Sequence, residues 1–332
     1  MSDLLNALAI AGKSALGFQA LFFALLAIGL NMHFGYTGLL NFGQIGFALL
    51  GGFGIAVSVT QWGLPFWVGV LVGIGAAVVL ALLLGLPTLR LRADYLAIVT
   101  IAAAEGLRLL FRSVSATSVT GGTRGLAGFN HDFIALAPWD TSTRYGILGT
   151  RWSGGELWVA TVGWLLVIVF SLLTWLLVRS PWGRVVKSIR EDEDAVRALG
   201  KNVYAYKMQS LILGGVIGAF GGMVYAVGTG SAIPDQYQNA NTFLAYGAVI
   251  LGGAARVLGP VVGSMLLLFI LQFADTGLRL LIDKGIIPSG LLTSTDVAQI
   301  RFVLVGVGLM LLLIFRPQGI FGDRREVMLD AR

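Results

Sequence analysis

Very few side chains in this sequence are equipped to make or break bonds. There is no cysteine, so thiolate nucleophiles, disulfides and thiolate metal sites are excluded. The two histidines, His33 and His131, are too few for an all-histidine metal site. No Gly-x4-Gly-Lys-[Ser/Thr] loop is present to cradle ATP. Neither an HExxH nor a GxSxG pattern occurs. The reading is therefore non-catalytic, with no catalytic residue, metal ligand or cofactor assigned. The remaining polar groups are placed for recognition and docking. Asn41 and Gln44 sit three apart in "GYTGLLNFGQIGFALLGG" (35–52), on one face of a helix. Glu105 and Arg108 lie one turn apart in another apolar stretch. The third group is a compact charged block, "RSPWGRVVKSIREDEDAVRALGKN" (179–202), between two long runs of oil.

Those runs determine what positions the polar groups. Of 332 residues, 56% are hydrophobic and 12% charged, half the charged share of a soluble domain. The mean hydropathy is +0.84. Apolar runs reach about 18 residues or more, enough to cross a hydrocarbon core of roughly 30 Å. Alternating ten-residue segments of the β-barrel kind are absent. The fold class is all-α: a polytopic helical membrane protein of about nine (8–10) spans, read as one transmembrane domain over 1–332. Candidate spans are 15–32, 40–60, 65–86, 94–112, 157–178, 208–230, 242–256, 258–282 and 299–315. The stretch Ala15–Met32 lacks the flanks of a signal peptide and reads as a retained span. The 46 glycines, about twice the usual frequency, suit close helix packing and broken helices. The segment 242–256 is short and glycine-rich, as a partial helix would be.

Loop charge gives an orientation. Seven basic residues fall in 179–207: Arg179, Arg184, Lys187, Arg190, Arg197, Lys201 and Lys207. Arg316, Arg324, Arg325 and Arg332 follow the last span. The loop 113–156 balances three basic against three acidic residues. The positive-inside rule then puts 179–207 and the tail 316–332 in the cytoplasm and 113–156 outside. Nine spans leave the N-terminus outside, and one further half-helix around 33–46 would reverse that. The net charge of +6 is topology bias rather than a nucleic-acid surface, because the basic residues cluster beside spans.

Within the charged block, Ser180-Pro181 is a helix-start signal. The acids Glu191, Asp192, Glu193 and Asp194 precede Ala195-Val196-Arg197-Ala198-Leu199 and Gly200. A short helix over 192–199 would carry acids at its positive end, Arg197 and Lys201 at its negative end, and Gly200 in the left-handed C′ position. Val196, Leu199, Ala195 and Ala198 give it an apolar stripe. Local pattern leaves two readings: a solvated loop that only orients the chain, or a knob fitting a socket on a cytoplasmic partner.

A family resemblance bears on that choice. "LRLRADYLAIVTIAAAEGLRLLFR" (89–112), "TGGTRGL" (120–126), "GRVVKSIREDEDAVRALGKNVYAYK" (183–207), "ILGGAARVLGP" (250–260) and "RPQGIFG" (316–322) resemble, in order and spacing, the blocks of LivM-type permeases of branched-chain amino acid ABC importers. The resemblance runs from about residue 35 to residue 322. It implies a membrane permease in the cell inner membrane, paired with a related second permease, two cytoplasmic ATPases that use the ATP, and an external solute-binding protein. It further implies alternating access, with leucine, isoleucine, valine or a related hydrophobic amino acid as cargo. On this resemblance Arg190, Glu191, Asp192, Glu193, Asp194, Ala195, Ala198, Leu199 and Gly200 form the ATPase-coupling element.

The other polar features keep two readings each. Asn41 and Gln44 are either interhelical hydrogen-bond glue or part of the path, and Glu105 and Arg108 either a structural pair or path-lining. Gly252 and Gly253, in a second glycine-rich break at 251–263, are candidates for the path as well. Arg90, Arg92 and Asp94 at a span entrance read as interfacial charges or, on the resemblance, as a contact with the cytoplasmic partners. The "TGGTRGL" loop is either plain connection or external contact. Gly214, Gly218 and Gly222 repeat every four residues as a packing face. Two other functions stay open: import of urea or short amides within the same superfamily, and an ion-coupled secondary transporter, for which Glu105 and Asp275 are the acids within spans.

Overall fold

The computed structural model describes residues 2–89, 93–147 and 149–283, together with 300, 303, 306–308, 310–311, 314–316 and 318–322. Arg90, Arg92, the side chain of Asp94, most of the expected span 299–315 and the end of the tail lie outside the described residues.

Helices dominate, as an apolar solvent demands: with no water at the bilayer centre, backbone polar groups must be satisfied within the segment itself. In chain order they are α1 (Ser2–Leu16), α2 (Phe18–Leu30), α3 (Gln44–Thr60), α4 (Phe66–Thr88), α5 (Ala93–Arg112), the single turns α6 (Thr117–Thr120) and α7 (His131–Ile134), and α8 (Gly154–Arg179). They continue with α9 (Pro181–Glu191), α10 (Glu193–Ala198), α11 (Val203–Thr229), α12 (Ala240–Gly252) and α13 (Gly259–Asp283). The all-α expectation holds, and among the described residues only four short strands accompany the helices. They are β1 (Leu126–Ala127), β2 (Arg144–Ile147), β3 (Thr150–Ser153) and β4 (Ser231–Ala232), paired β2–β3 and β1–β4, both antiparallel. Among the described residues five helical segments are long and apolar enough to span: Phe18–Tyr36, Phe66–Thr88, Gly154–Arg179, Val203–Thr229 and Gly259–Ile282.

Helix ends shift by a few residues from the expected spans, α3 starting at Gln44 rather than at 40 and α12 ending at Gly252 rather than at 256, and two differences bear on the site. The expected span 15–32 begins at Phe18, because Ala15 and Leu16 end a separate helix α1, and it continues past residue 32. The continuation is a π-helical stretch, Asn31–Tyr36, after which the chain loses regular structure until Gln44. The span is thus prolonged, and no independent half-helix forms between 33 and 46. The second difference is α9, a two-sided helix ahead of the expected 192–199 element. Ser180 caps it by accepting from Gly183 N–H at 3.4 Å, and Pro181 occupies its first turn. Gly183, Val186 and Ile189 form its buried stripe.

At the centre α2, α3 and α11 pack closely, and α12 closes one side through Ala245, Ala248 and Val249. Small residues let them meet. The face Gly214, Gly218, Gly222 lies against Gly29 and His33, Gln44, and the Ala48 backbone in turn; a Cβ at any of the three would collide with those atoms. Van der Waals packing of this kind drives helix association where no hydrophobic force acts between helices.

The Gly222 contact is with backbone, which cannot swing aside. Gly222→Val is expected to cost ~1–3 kcal/mol through overpacking; a thermal unfolding curve in detergent indistinguishable from wild type would contradict this packing.

Candidate functional site

The break between α2 and α3 frees backbone groups that need partners, and polar side chains from α5, from α12 and from the break itself supply them. Tyr246 of α12 donates through its hydroxyl to Asn41 O at 3.0 Å. Thr242 Oγ1 accepts from Ile45 N–H at 3.1 Å, and Thr100 Oγ1 of α5 accepts from Phe42 N–H at 3.1 Å. Asn41 Oδ1 accepts from Gly43 N–H at 2.9 Å, while its Nδ2 donates to Gln44 Oε1 at 3.0 Å and meets His33 Nδ1 at 3.1 Å. Gln44 Nε2 donates to Gly214 O at 2.8 Å. His33 Nε2 reaches Leu211 O at 3.2 Å, so the ring fits as the Nε2–H tautomer with Nδ1 accepting. Thr37 and Ser210 pair their hydroxyls at 2.6 Å.

Asn41, Gln44 and His33 are all 0% exposed. The structure brings Asn41 and Gln44 together, but Asn41 lies in the irregular break ahead of α3 rather than on the shared helix face that the spacing implied, and both have partners on every side with no open face toward a path. His33 was missed in the sequence as a member of this cluster; its signal was a lone histidine eight residues before Asn41. Ser210 and Gly214 gave no local signal, since they join the site only through α11.

Gly252 and Gly253 are likewise buried in packed backbone rather than open. Gly253 has φ +106°, a conformation that suits glycine. The segment 318–322 lies against them, with Ile320 N–H donating to Leu251 O at 3.0 Å and Phe321 N–H to Gly252 O at 3.1 Å.

Glu105 and Arg108 do pair, but within a wider cluster. Arg108 Nε donates to both Glu105 oxygens at 3.1 and 3.2 Å, and its Nη1 meets Asp235 at 2.6 Å. Arg112 lies 3.6 Å from Asp235, and Asn239 Nδ2 reaches Glu105 at 3.3 Å. Arg108 is 11% exposed, but Glu105 and Asp235 stay 38% and 41% exposed, so the cluster has an open side. The same helix exposes Tyr95, Ile98, Leu109 and Leu110. Asp235 and Asn239 lie about 130 residues away, too far for helical spacing to announce. The "TGGTRGL" loop is anchored nearby, since Leu126 pairs with Ala232 across β1–β4.

At the other end sits the charged block. Asp192, extended at φ −152°, interrupts the helix and caps α10, its Oδ1 accepting from Asp194 and Ala195 N–H at 3.0 Å each. Arg197 pairs back to Glu193 at 2.8 Å and Asp194 at 3.0 Å, and Lys207 of α11 pairs with Glu193. Val196 is buried with Ile189 and Val203. Gly200 has φ +75°. Ala195, Ala198 and Leu199 point away from the protein, Leu199 with 79% of its surface exposed. Glu191 is exposed, and Arg190 Nη1 donates to Gly35 O at 2.6 Å, seating the block on the broken helix.

The sequence profile of the branched-chain amino acid transport system / permease component family matches residues 14–314. The chain belongs to this family. It is 28% identical over 307 residues to the high-affinity branched-chain amino acid transport system permease protein LivM of Escherichia coli K12, covering 90% of this chain and 67% of that one. The probable branched-chain amino acid transport permease protein LivM of Methanocaldococcus jannaschii is 25% identical over 338 residues, covering 90% of each. A shorter similarity, 31% over 129 residues and 38% of each chain, links it to the autoinducer 2 import system permease protein LsrC of Photorhabdus laumondii. Membership in this permease family agrees with the apolar spans: the chain is an integral membrane transport component.

Removing the Asn41 amide leaves Gly43 N–H, Gln44 and His33 short of partners. Asn41→Ala is expected to lower stability by ~1–3 kcal/mol, read as a reduced melting temperature, with transport per folded molecule unchanged. Impaired transport at wild-type stability would instead make Asn41 a path residue.

Proposed function

We propose that the chain is one membrane permease of an ABC importer carrying branched-chain or other hydrophobic amino acids. Separate ATPase subunits drive it, a related second permease faces it across the path, and an external binding protein delivers the cargo. The observation that carries this is the exposed apolar triad Ala195, Ala198 and Leu199 on a capped, ion-paired α10, in a chain whose family is a permease component. An apolar patch held rigidly among charges fits a socket on another protein better than a solvated loop. The positive-inside rule puts α9 and α10 on the cytoplasmic side with the C-terminus, and the loop 113–156 outside. The α2–α3 junction, which receives α9 through Arg190 and Gly35, gives a displacement of the docked element a route into the bundle.

The open side of the Glu105, Arg108, Asp235 and Asn239 cluster points to where the path runs. Exposed charges are costly against hydrocarbon, so this side of α5 borders water or the second permease. The amides Asn41 and Gln44 and the glycines Gly252 and Gly253 support the junctions behind it. Ion coupling is the weaker reading, because the acids within spans are engaged by arginines: Glu105 by Arg108, and Asp275 by Arg279 at 3.0 Å.

Leu199→Asp, or Ala198→Asp, is expected to abolish stimulated transport by placing a charge in the docking face, at a cost on the order of 2–5 kcal/mol of binding. Leu199→Ala should lose far less. Co-purification of the ATPase subunits with the Leu199→Asp chain and normal leucine uptake in proteoliposomes would refute the docking role.

A further inference from the structure

Asn31 is the first residue of the π-helical stretch and is 1% exposed. It uses both ends of its amide on one loop far along the chain. Its Nδ2 donates to Arg256 O at 2.9 Å, and its Oδ1 accepts from Ala255 N–H at 2.8 Å. That loop, 253–258, is the turn between α12 and α13. Ala255 has φ +59°, the one non-glycine residue with positive φ among the described residues. A side chain rarely adopts that conformation without being held in it, and the Asn31 oxygen holds its N–H.

The other side of the same π-helical stretch receives the charged block. Gly35 O accepts from Arg190 at 2.6 Å, and Lys187 lies 5.9 Å from the Tyr36 ring centre. Met32 and Tyr36 pack with Val186 of α9 and Val178 of α8, and Ala255 packs against that cluster. A Cβ on Gly35 would strike Asn31 Oδ1 and crowd Ala255 N at 2.7 Å. One turn and a half of chain thus joins α9 on one side to the α12–α13 turn on the other. π-Bulges are frequently found where a helix serves a function rather than mere support.

We propose that Asn31 is a positioning residue for transport: it transfers displacement of the docked α9–α10 element to the 253–258 turn, and so to the α12–α13 hairpin. This rests on the importer reading above. Without Asn31 the element can still dock and the ATPases can still cycle, but the hairpin no longer follows. The role differs from plain stabilisation, because it separates ATP use from solute movement.

The test uses the full complex in proteoliposomes, with the binding protein loaded with L-leucine, and measures leucine imported per ATP hydrolysed. For Asn31→Ala we expect stimulated ATPase activity to stay near wild type, while leucine moved per ATP falls about tenfold, within the usual span of coupling between sites. Asn31→Asp has the same shape and still accepts from Ala255 N–H, but sets an oxygen against Arg256 O; an intermediate ratio is expected. If Asn31→Ala fails to assemble, Asn31→Asp carries the measurement. An unchanged ratio, or uptake and ATPase activity falling in step, overturns the role of Asn31. A wild-type complex whose ATPases ignore the loaded binding protein would overturn the importer reading instead.

Discussion

The structure depends on keeping every backbone polar group satisfied where the helix between Phe18 and Gln44 is broken. In water a broken helix is cheap, since solvent takes over the freed N–H and C=O groups. In a bilayer each must find a protein partner. Here Thr100, Thr242, Tyr246 and Asn41 do so for the residues around 41–45. The helices α5 and α12 are thereby drawn to one junction. The tight glycine face of α11 is part of the same solution, because Gln44 reaches Gly214 O only where the two backbones nearly touch. Close packing and polar satisfaction are two descriptions of one constraint.

A second arrangement follows from the first. Because the junction ends in the π-helical Asn31–Tyr36 stretch, carbonyls such as Gly35 O are available to groups outside the regular helix. The charged block uses that opening: Arg190 enters it, while the acids of the block cap α10 and hold Arg197 and Lys207. The apolar triad Ala195, Ala198 and Leu199 is left facing outward, on a short helix that six residues alone would not sustain. Exposure of the triad and rigidity of its support come from the same network.

Much of this is legible in the residue pattern alone. Helical class and most span positions follow from the length of apolar runs, since apart from a closed β-barrel only a helix satisfies its backbone in lipid. Ser180-Pro181, the acids before Ala195, and Gly200 marked the α9–α10 region, because capping and left-handed turns are local chemistry. Asn41 and Gln44 stood out as polar groups in an apolar run, although Asn41 lies in the break rather than on the helix face their spacing implied. Less legible were the extra helix α9, whose apolar stripe is masked by interleaved charge, and the separation of α1 from α2 at Gly17.

By itself the sequence determined what each segment is: spanning or not, capped or not, charged toward one side or neutral. Those properties depend on residues within a few turns of one another. Tertiary structure alone decided what each polar group does. Glu105 and Arg108 became part of an open cluster only when Asp235 and Asn239 arrived from a distant segment. Asn41 and Gln44 became buried support because α11 covers them, and Asn31 gained its partners from a turn more than 220 residues away. Hydrogen bonds and burial depend on distance in space, and an isolated residue pattern holds no record of which helix lies beside it.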